Sequence, residues 1–319
     1  MTVNTPTFAD VEEAAAFLAP YALETPLIEN TDLNDRLGCR VLLKLENLQR
    51  TGSFKFRGAC NRILHIPEAD RARGVVAFSS GNHAQGVAAA TALFGIPALI
   101  VMPKDAPRAK LDGTRARGAE VVFYDRLSDD REAIAQAICT ERGATLIRPF
   151  DDPFVVAGQG TVGLEIARTA AARDIRLDAV LAPCSGGGLI GGIALAVATL
   201  SPQTRIYSVE AENYDGLKRS LAGGARIAAP GGALSVADAL MAPVPGVIPF
   251  ALAQMYLTEA LTICDRDLSD TVSYAARTLK LVVEPSGAAA LARLFSNGFK
   301  LKQDTVAVVL SGGNCDAVQ

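Results

Sequence analysis

The sequence predicts an α/β fold in which parallel-rich sheets are covered by helices on both faces. Short apolar runs such as Val75–Phe78 and Thr305–Leu310 have the length of strands but lack the alternation of a half-exposed sheet. Segments of helix length separate these runs, and glycine and serine clusters follow several of them. Strands that are buried on both faces and joined by helices imply three layers, with a sheet between two helical layers.

The predicted elements alternate along the chain. In the first half, strands are predicted at 75–78, 98–101 and 121–124, and helices at 82–94, 110–117 and 128–142. In the second half, strands are predicted at 179–182, 205–210 and 305–310, with a helix at 189–200. Two further helices are expected to open at 158–161 and 284–287. The glycine- and proline-rich stretch 222–249 is predicted to be a surface loop near a functional site, because long loops in compact domains are often functional.

The composition is that of a folded globular protein. Of 319 residues, 50% are hydrophobic and 20% are charged, and the net charge of −3 offers no basic surface for nucleic acid. The longest apolar run, 189–200, is interrupted by Gly191 and Gly192 and is too short to span a membrane. The polar N-terminus lacks a secretory signal, and the six scattered cysteines indicate reduced thiols. We therefore expect a cytoplasmic protein without nucleic-acid or membrane partners.

One lysine stands in an unusual setting. Lys55 lies between Phe54 and Phe56, and in a partly dry pocket its charged ammonium would be disfavoured. The pKa of Lys55 should then fall toward neutrality, and a neutral lysine amine is a nucleophile that forms Schiff bases with carbonyl compounds. A lysine that extends its stem past apolar neighbours would show the same local pattern. The rest of the chain has to decide between these interpretations.

Clusters of small residues follow three predicted strands, at 79–83, 184–188 and 311–314. Ligands of open parallel sheets bind at the carboxyl ends of the strands. The second cluster has three consecutive glycines at the start of a predicted helix, where backbone N–H groups can bind a phosphate. Ordinary turns also favour glycine and serine, but several such turns in one chain indicate a ligand site.

A dinucleotide site is an alternative interpretation of the second cluster. Gly186, Gly188 and Gly191 satisfy the glycine fingerprint after a predicted strand, and Glu210 lies where a ribose-binding acid is expected. This interpretation predicts a NAD-dependent dehydrogenase. It leaves Lys55 and the other two clusters unexplained.

Taken together, these motifs resemble the fold-type II pyridoxal-phosphate (PLP) enzymes, in the branch of serine/threonine dehydratases and serine racemases. The resemblance runs from Thr25-Pro26-Leu27 and Lys44-Leu45-Glu46-Asn47, through Ser53-Phe54-Lys55-Phe56-Arg57-Gly58-Ala59, to Ser311-Gly312-Gly313-Asn314. It implies a fold like that of the tryptophan synthase β chain, with two three-layer αβα domains. A large PLP-binding domain would comprise 1–46 and 150–319, and a small inserted domain 47–149, with the active-site cleft between them. The resemblance also implies a homodimer.

The resemblance further implies roles for individual residues. Lys55 would be the Schiff-base lysine, and Ser80 would be the catalytic acid or base on the opposite face of the cofactor. The cofactor-binding residues would be Phe54, Lys55, Asn82, Ser185, Gly186, Gly187, Gly188, Leu189, Glu284 and Ser311. The substrate-binding residues would be Ser79, Ser80, Gly81, Asn82 and His83.

The implied reaction is PLP-dependent β-elimination, a dehydration and deamination of L-threonine or L-serine to 2-oxobutanoate or pyruvate plus ammonia. The alternatives are a dehydratase of another β-hydroxy amino acid, such as 3-hydroxyaspartate, a serine racemase, a β-replacement synthase and the dehydrogenase. Some members of this branch bind a divalent cation (Mg²⁺, Mn²⁺ or Ca²⁺) at the position of Glu210. Here Gly216 stands where an aspartate ligand is expected, so no metal is expected unless Asp215 takes its place.

Overall fold

Two separate β-sheets form the framework of the protein. The structure is a computed structural model that describes residues 3–79, 81–106, 108–126, 128–296, 299, 301 and 304–315. Within this part of the chain, six strands form one sheet and four strands form the other. Nearly all neighbouring strands run parallel, and the predicted α/β fold with parallel-rich sheets is confirmed.

The strands and helices alternate as follows. The strands are β1 (Leu27–Glu29), β2 (Arg40–Leu45), β3 (Val75–Phe78), β4 (Ala98–Pro103), β5 (Glu120–Tyr124), β6 (Thr145–Ile147), β7 (Ala179–Pro183), β8 (Arg205–Ala211), β9 (Glu259–Ile263) and β10 (Thr305–Leu310). The α-helices are α1 (Phe8–Leu18), α2 (Thr31–Leu37), α3 (Lys55–Leu64), α4 (Glu68–Arg71), α5 (Asn82–Phe94), α6 (Arg108–Arg115), α7 (Arg131–Arg142), α8 (Pro153–Ala172), α9 (Gly188–Leu200), α10 (Gly216–Gly223), α11 (Val247–Tyr256), α12 (Asp265–Tyr274) and α13 (Pro285–Phe295). Short 3-10 helices lie at Glu46–Leu48, Arg50–Gly52 and Asp238–Leu240, and a π-helical turn at Ala275–Leu279. No helix among the described residues is both long enough and apolar enough to cross a membrane.

The order of the strands creates one crevice in each sheet. The larger sheet has the order β1-β2-β10-β7-β8-β9, in which only β1 is antiparallel to its neighbour. From β7 the chain proceeds to β8 and β9 on one side, whereas β10 pairs with β7 on the other side. In the smaller sheet, β5-β4-β3-β6, the strand order reverses in the same way at β3: β4 and β5 lie on one side of β3, and β6 lies on the other. Ligands of such sheets bind where the strand order reverses, and the clusters that follow β3, β7 and β10 lie at these two points.

Local capping explains where one of the predicted helices begins. The helix predicted at 128–142 begins at Arg131, because the Asp130 side chain accepts hydrogen bonds from the N–H groups of Glu132 and Ala133. An aspartate at this position satisfies N–H groups that would otherwise have no partner. The helix predicted at 82–94 and the strands predicted at 75–78 and 305–310 have the predicted boundaries.

The prediction that a helix opens at 158–161 is wrong. These residues lie inside α8, which begins at Pro153, directly after the capping residue Asp152. The glycines serve close helix packing instead. A Cβ atom on Gly160 would lie 2.9 Å from the carbonyl oxygen of Gly192 in α9, and one on Gly158 would lie 2.8 Å from that of Arg57 in α3. Helix α8 therefore approaches α3 and α9 more closely than larger residues at these positions would allow.

The segment 222–249 is only partly irregular. Helix α10 extends to Gly223, α11 already begins at Val247, and a 3-10 helix occupies Asp238–Leu240. The smaller sheet, 75–147, lies within the range predicted for the small domain, and the strands of the larger sheet lie outside it. The domain boundaries at 46/47 and 149/150 themselves stay a prediction.

Candidate active site

One cavity at the carboxyl ends of β7 and β10 gathers the residues predicted to bind a cofactor. All ten line it: Phe54, Lys55, Asn82, Ser185, Gly186, Gly187, Gly188, Leu189, Glu284 and Ser311. The first and the last of these are adjacent in space, because the N–H of Phe54 donates to the carbonyl oxygen of Ser311 over 3.2 Å. Ser53 and Gly312 also form a β-bridge. The start of α3 is thus held directly against the end of β10.

Lys55 begins α3 and directs its amine into this cavity. Its Nζ donates to the carbonyl oxygen of Pro149 over 2.8 Å and lies 5.1 Å from the centre of the Phe54 ring. The side chain as a whole is partly exposed, but the amine is buried, and burial lowers the pKa of Lys55 to about 8. A lysine with such a pKa exists partly as the neutral amine near neutral pH, and it can act as a nucleophile or as a base.

The loop between β7 and α9 offers backbone N–H groups for an anion. The N–H groups of Ser185, Gly186 and Gly187 have no hydrogen-bond partner among the described residues. Gly187 has a φ of 91°, a left-handed conformation that favours glycine. A Cβ atom on Gly186 would clash with the ring of Phe150, so a side chain would not fit there. Free N–H groups at the start of α9 fit a phosphate group.

Glu284, Asn82 and Asn314 form a buried polar network at the other end of the cavity. Asn82 Nδ2 donates to Glu284 Oε1 over 2.5 Å, and Asn314 Nδ2 donates to Asn82 Oδ1 over 2.9 Å. Glu284 Oε2 is buried and has no hydrogen-bond partner among the described residues. Burial raises the pKa of Glu284 to about 7. A partly protonated carboxyl group with one free oxygen fits a polar ligand in this cavity.

The raised pKa of Glu284 predicts how stability depends on pH. Between pH 4.5, the usual pKa, and about 7, the folded protein binds more protons than the unfolded chain. Its free energy of unfolding should therefore fall as the pH rises through this window, by at most about 1.4 kcal/mol per pH unit for one group. Glu284→Gln cannot titrate, so urea unfolding of the cofactor-free variant should show a flatter pH profile than wild type. Because the two proteins differ only at residue 284, equal slopes would contradict the prediction.

A second cavity, of about 170 Å³, adjoins the first and contains the residues predicted to bind the substrate. Ser79, Gly81, Asn82 and His83 line it together with Lys55, whereas Ser80 lies outside the described residues. The Ser79 hydroxyl accepts a hydrogen bond from the N–H of Gly81 over 3.1 Å, which shapes the turn before α5. Because α5 begins here, this turn is a suitable place for a carboxylate.

His83 lines this cavity but makes a structural contact. Its Nε2 lies 3.0 Å from the carbonyl oxygen of Ile147, to which it can only donate. Burial, together with the nearby charge of Lys55, lowers the pKa of His83 to about 3. The ring is therefore neutral at physiological pH and links α5 to the end of β6.

Sequence reasoning missed a pair of charged residues in the second cavity. Lys110 Nζ in α6 donates to Asp238 Oδ2 over 2.6 Å, and the lysine is almost fully buried. The two residues are 128 positions apart in the chain, so no local pattern relates them. The only sequence signal was that Asp238 lies in the glycine- and proline-rich stretch predicted to approach a site. The ion pair therefore connects α6 to that stretch across the cavity.

Glu210, considered from the sequence as a metal ligand, accepts hydrogen bonds from a helix terminus in the structure. Its two carboxyl oxygens accept hydrogen bonds from the N–H groups of Leu217 and Lys218, both over 2.8 Å, at the start of α10. Asp215 pairs with Arg219 instead. Within the described residues, no group of three or more histidine, cysteine, aspartate or glutamate side chains could hold a metal ion. Glu210 thus stabilises a helix terminus.

Comparisons with known proteins show which proteins this chain is similar to. The family described as pyridoxal-phosphate dependent enzyme matches residues 18–312. An L-threonine ammonia-lyase of Thermotoga maritima is 39% identical over 97% of this chain and 76% of its own length. An L-threo-3-hydroxyaspartate ammonia-lyase of Pseudomonas sp. is 41% identical over 97% of this chain and 95% of its own length. The structure of maize serine racemase superposes with a TM-score of 0.93 at 34% identity, covering 98% of this chain and 94% of that one.

Proposed function

Because this chain belongs to the pyridoxal-phosphate dependent enzymes, we propose that it is an ammonia-lyase that acts on L-threonine and L-serine. The products are 2-oxobutanoate or pyruvate, together with ammonia. The observation that carries this proposal is the buried amine of Lys55, whose pKa is about 8, in a cavity lined by all ten expected cofactor residues. The dehydrogenase alternative gives Lys55 no role.

The free polar groups of the first cavity fit pyridoxal phosphate. The N–H groups of the loop 185–188 would bind its phosphate, and Phe54 and Ser311 would contact its ring. Asn82 and Glu284 line the same cavity, where their amide and carboxyl groups would contact the polar substituents of the pyridoxal ring. When bound, the cofactor supplies an electron sink for the electron pair that remains after the α-proton of the substrate is removed.

The residues of the chain then bind the substrate and move its protons. The turn 79–83 would hold the α-carboxylate at the start of α5. The amine of Lys55, neutral in part at physiological pH, would take the α-proton. We propose that Ser80 acts as the catalytic acid or base on the face of the cofactor opposite Lys55.

The reaction predicts a simple assay. We expect the purified protein, loaded with pyridoxal phosphate, to release ammonia and 2-oxobutanoate in equal amounts from L-threonine, and ammonia and pyruvate from L-serine. D-Threonine is the matched control and should be inert. Release of ammonia without a 2-oxo acid would contradict β-elimination. Formation of D-serine from L-serine without ammonia would favour a racemase instead.

We further propose that the enzyme works as a homodimer in the cytoplasm. Membership in this family supports the assembly, and the six cysteines, scattered along the sequence without a CxxC pair, agree with a reducing compartment. Sedimentation equilibrium of the loaded protein tests the dimer.

A further inference from the structure

The second cavity carries more positive charge than a threonine or serine substrate requires. Among the residues that the structure describes, three cationic side chains besides Lys55 line it, Lys110, Arg126 and Arg131, against a single carboxylate, that of Asp238. The α-carboxylate of an amino acid would bind the backbone of the turn 79–83. The side chain of threonine or serine has no charge. A cavity built only for these substrates therefore has no evident need for three cations.

Two of these three cations are already neutralised by carboxylates. Lys110 pairs with Asp238 over 2.6 Å, and Arg126 pairs with Asp105 over 2.7 Å. Arg131 differs, because no carboxylate forms an ion pair with it among the described residues. Of the three, and within the described part of the chain, Arg131 is thus the cation whose charge remains available to a ligand.

The position of Arg131 places this charge beside the proposed substrate. Its guanidinium carbon lies 5.6 Å from the centre of the Phe78 ring, and Phe78 directly precedes the turn 79–83. Arg131 is also the first residue of α7, where the helix dipole disfavours a cation. Stacking on an aromatic ring orients the planar guanidinium, and such a fork is suited to bind a carboxylate through two parallel hydrogen bonds.

We propose that this cavity selects β-hydroxy α-amino dicarboxylic acids, with 3-hydroxyaspartate as the simplest, and that Arg131 binds their second carboxylate. This inference rests on the proposed function, because it names the substrates of the same lyase reaction. The β-hydroxyl leaves as water, and hydrolysis of the resulting imine consumes one water. The net reaction converts 3-hydroxyaspartate into oxaloacetate and ammonia without any oxidant or reductant.

The ion pair between Lys110 and Asp238 is compatible with such a substrate. Asp238 is the only acidic group lining the cavity in the described part of the chain, and its charge is balanced by the almost fully buried Lys110. The repulsion that Asp238 would exert on a second carboxylate is therefore offset. Relatives of similar identity act, by their names, on threonine in one case and on L-threo-3-hydroxyaspartate in the other. Overall similarity does not choose between these substrates, whereas the unpaired Arg131 does.

The test compares kcat/KM for 3-hydroxyaspartate, in its threo and erythro forms, with kcat/KM for L-threonine in the loaded enzyme. We expect wild type to favour one form of 3-hydroxyaspartate over threonine. Arg131→Met should lower kcat/KM for that form about 10- to 100-fold, as expected for one lost charge-assisted interaction. It should change kcat/KM for threonine less than about 3-fold, and Arg131→Lys should lose only part of the preference. Arg126→Met, which removes an already paired cation at the same cavity, is the matched control and should keep the preference.

A binding measurement separates the two proposals. Succinate should raise the melting temperature of the loaded wild-type enzyme more than butyrate, which lacks the second carboxylate, and Arg131→Met should remove this difference. If threonine is converted but 3-hydroxyaspartate is not, or if Arg131→Met impairs both equally, the dicarboxylate inference is wrong and the proposed function stands. If neither amino acid yields ammonia, the proposed function fails, and the succinate measurement alone then decides whether Arg131 forms a dicarboxylate site.

Discussion

Replacing Lys55 by alanine is expected to abolish turnover of L-threonine and the visible colour of the cofactor-loaded protein. The amine of Lys55 is the only lysine amine among the described residues that lines both cavities. The proposed function gives it two tasks, attachment of the cofactor and removal of the α-proton. Loss of a general base alone lowers a rate by roughly 10²–10⁴-fold, so the combined loss should reach at least the upper end of this range. Stopped assays of 2-oxobutanoate, together with visible spectra, measure both effects.

The variant should nevertheless remain folded. Burial lowers the pKa of Lys55, which means that folding disfavours its charged form, so its removal should cost little stability. Circular dichroism during urea unfolding checks this point. Lys104→Ala, at an exposed position, is the matched control and should retain colour and turnover. A Lys55→Ala protein with normal turnover would remove the central assignment of the active site.

The sequence could predict those parts of the site that local chemistry marks. A lysine between two phenylalanines, and three consecutive glycines after an apolar run, each indicate a function within a few residues. Their assembly into one cavity depends on the order of the strands. That order places β10 next to β7, although β8 and β9 lie between them in the chain. The sequence alone gives no such order, and the family resemblance supplied what local patterns could not.

Other features of the structure could not be predicted because the same sequence pattern fits two different structures. Glycines at 158–163 suit a turn as well as a close contact between helices, and only the packing of α8 against α3 and α9 distinguishes the two. The pairing of Lys110 with Asp238 joins distant segments through side chains that are unremarkable in sequence. In the sequence, Arg131 is simply one residue of a predicted helix, and only the structure shows that it has no ion-pair partner among the described residues.

A buried ionic network directly after Lys55 is expected to control the stability of the fold. Arg57 is fully buried and binds two carboxylates at once. Its Nε donates to Glu46 Oε2 over 2.8 Å, and its two terminal nitrogens donate to the oxygens of Glu165 over 2.6 and 2.8 Å. Burial opposes ionisation of Glu46, but the charge and hydrogen bonds of Arg57 outweigh this effect and hold its pKa below the usual value. The network thus joins α3 to the end of β2 and to α8.

Arg57→Met should lower the free energy of unfolding by about 3–5 kcal/mol, because it leaves the fully buried carboxylate of Glu46 without its arginine partner. Urea unfolding of the cofactor-free protein measures this change. Arg142→Met is the matched control, since Arg142 forms a solvent-exposed pair with Glu120 and its loss should cost far less stability than the loss of Arg57. Equal effects of both variants would show that the Arg57 network contributes no more than a surface pair. Because Arg57 lies on the first turn of α3 with Lys55, loss of the network should also displace the amine from the cavity. Turnover should then fall even under conditions where the variant is fully folded.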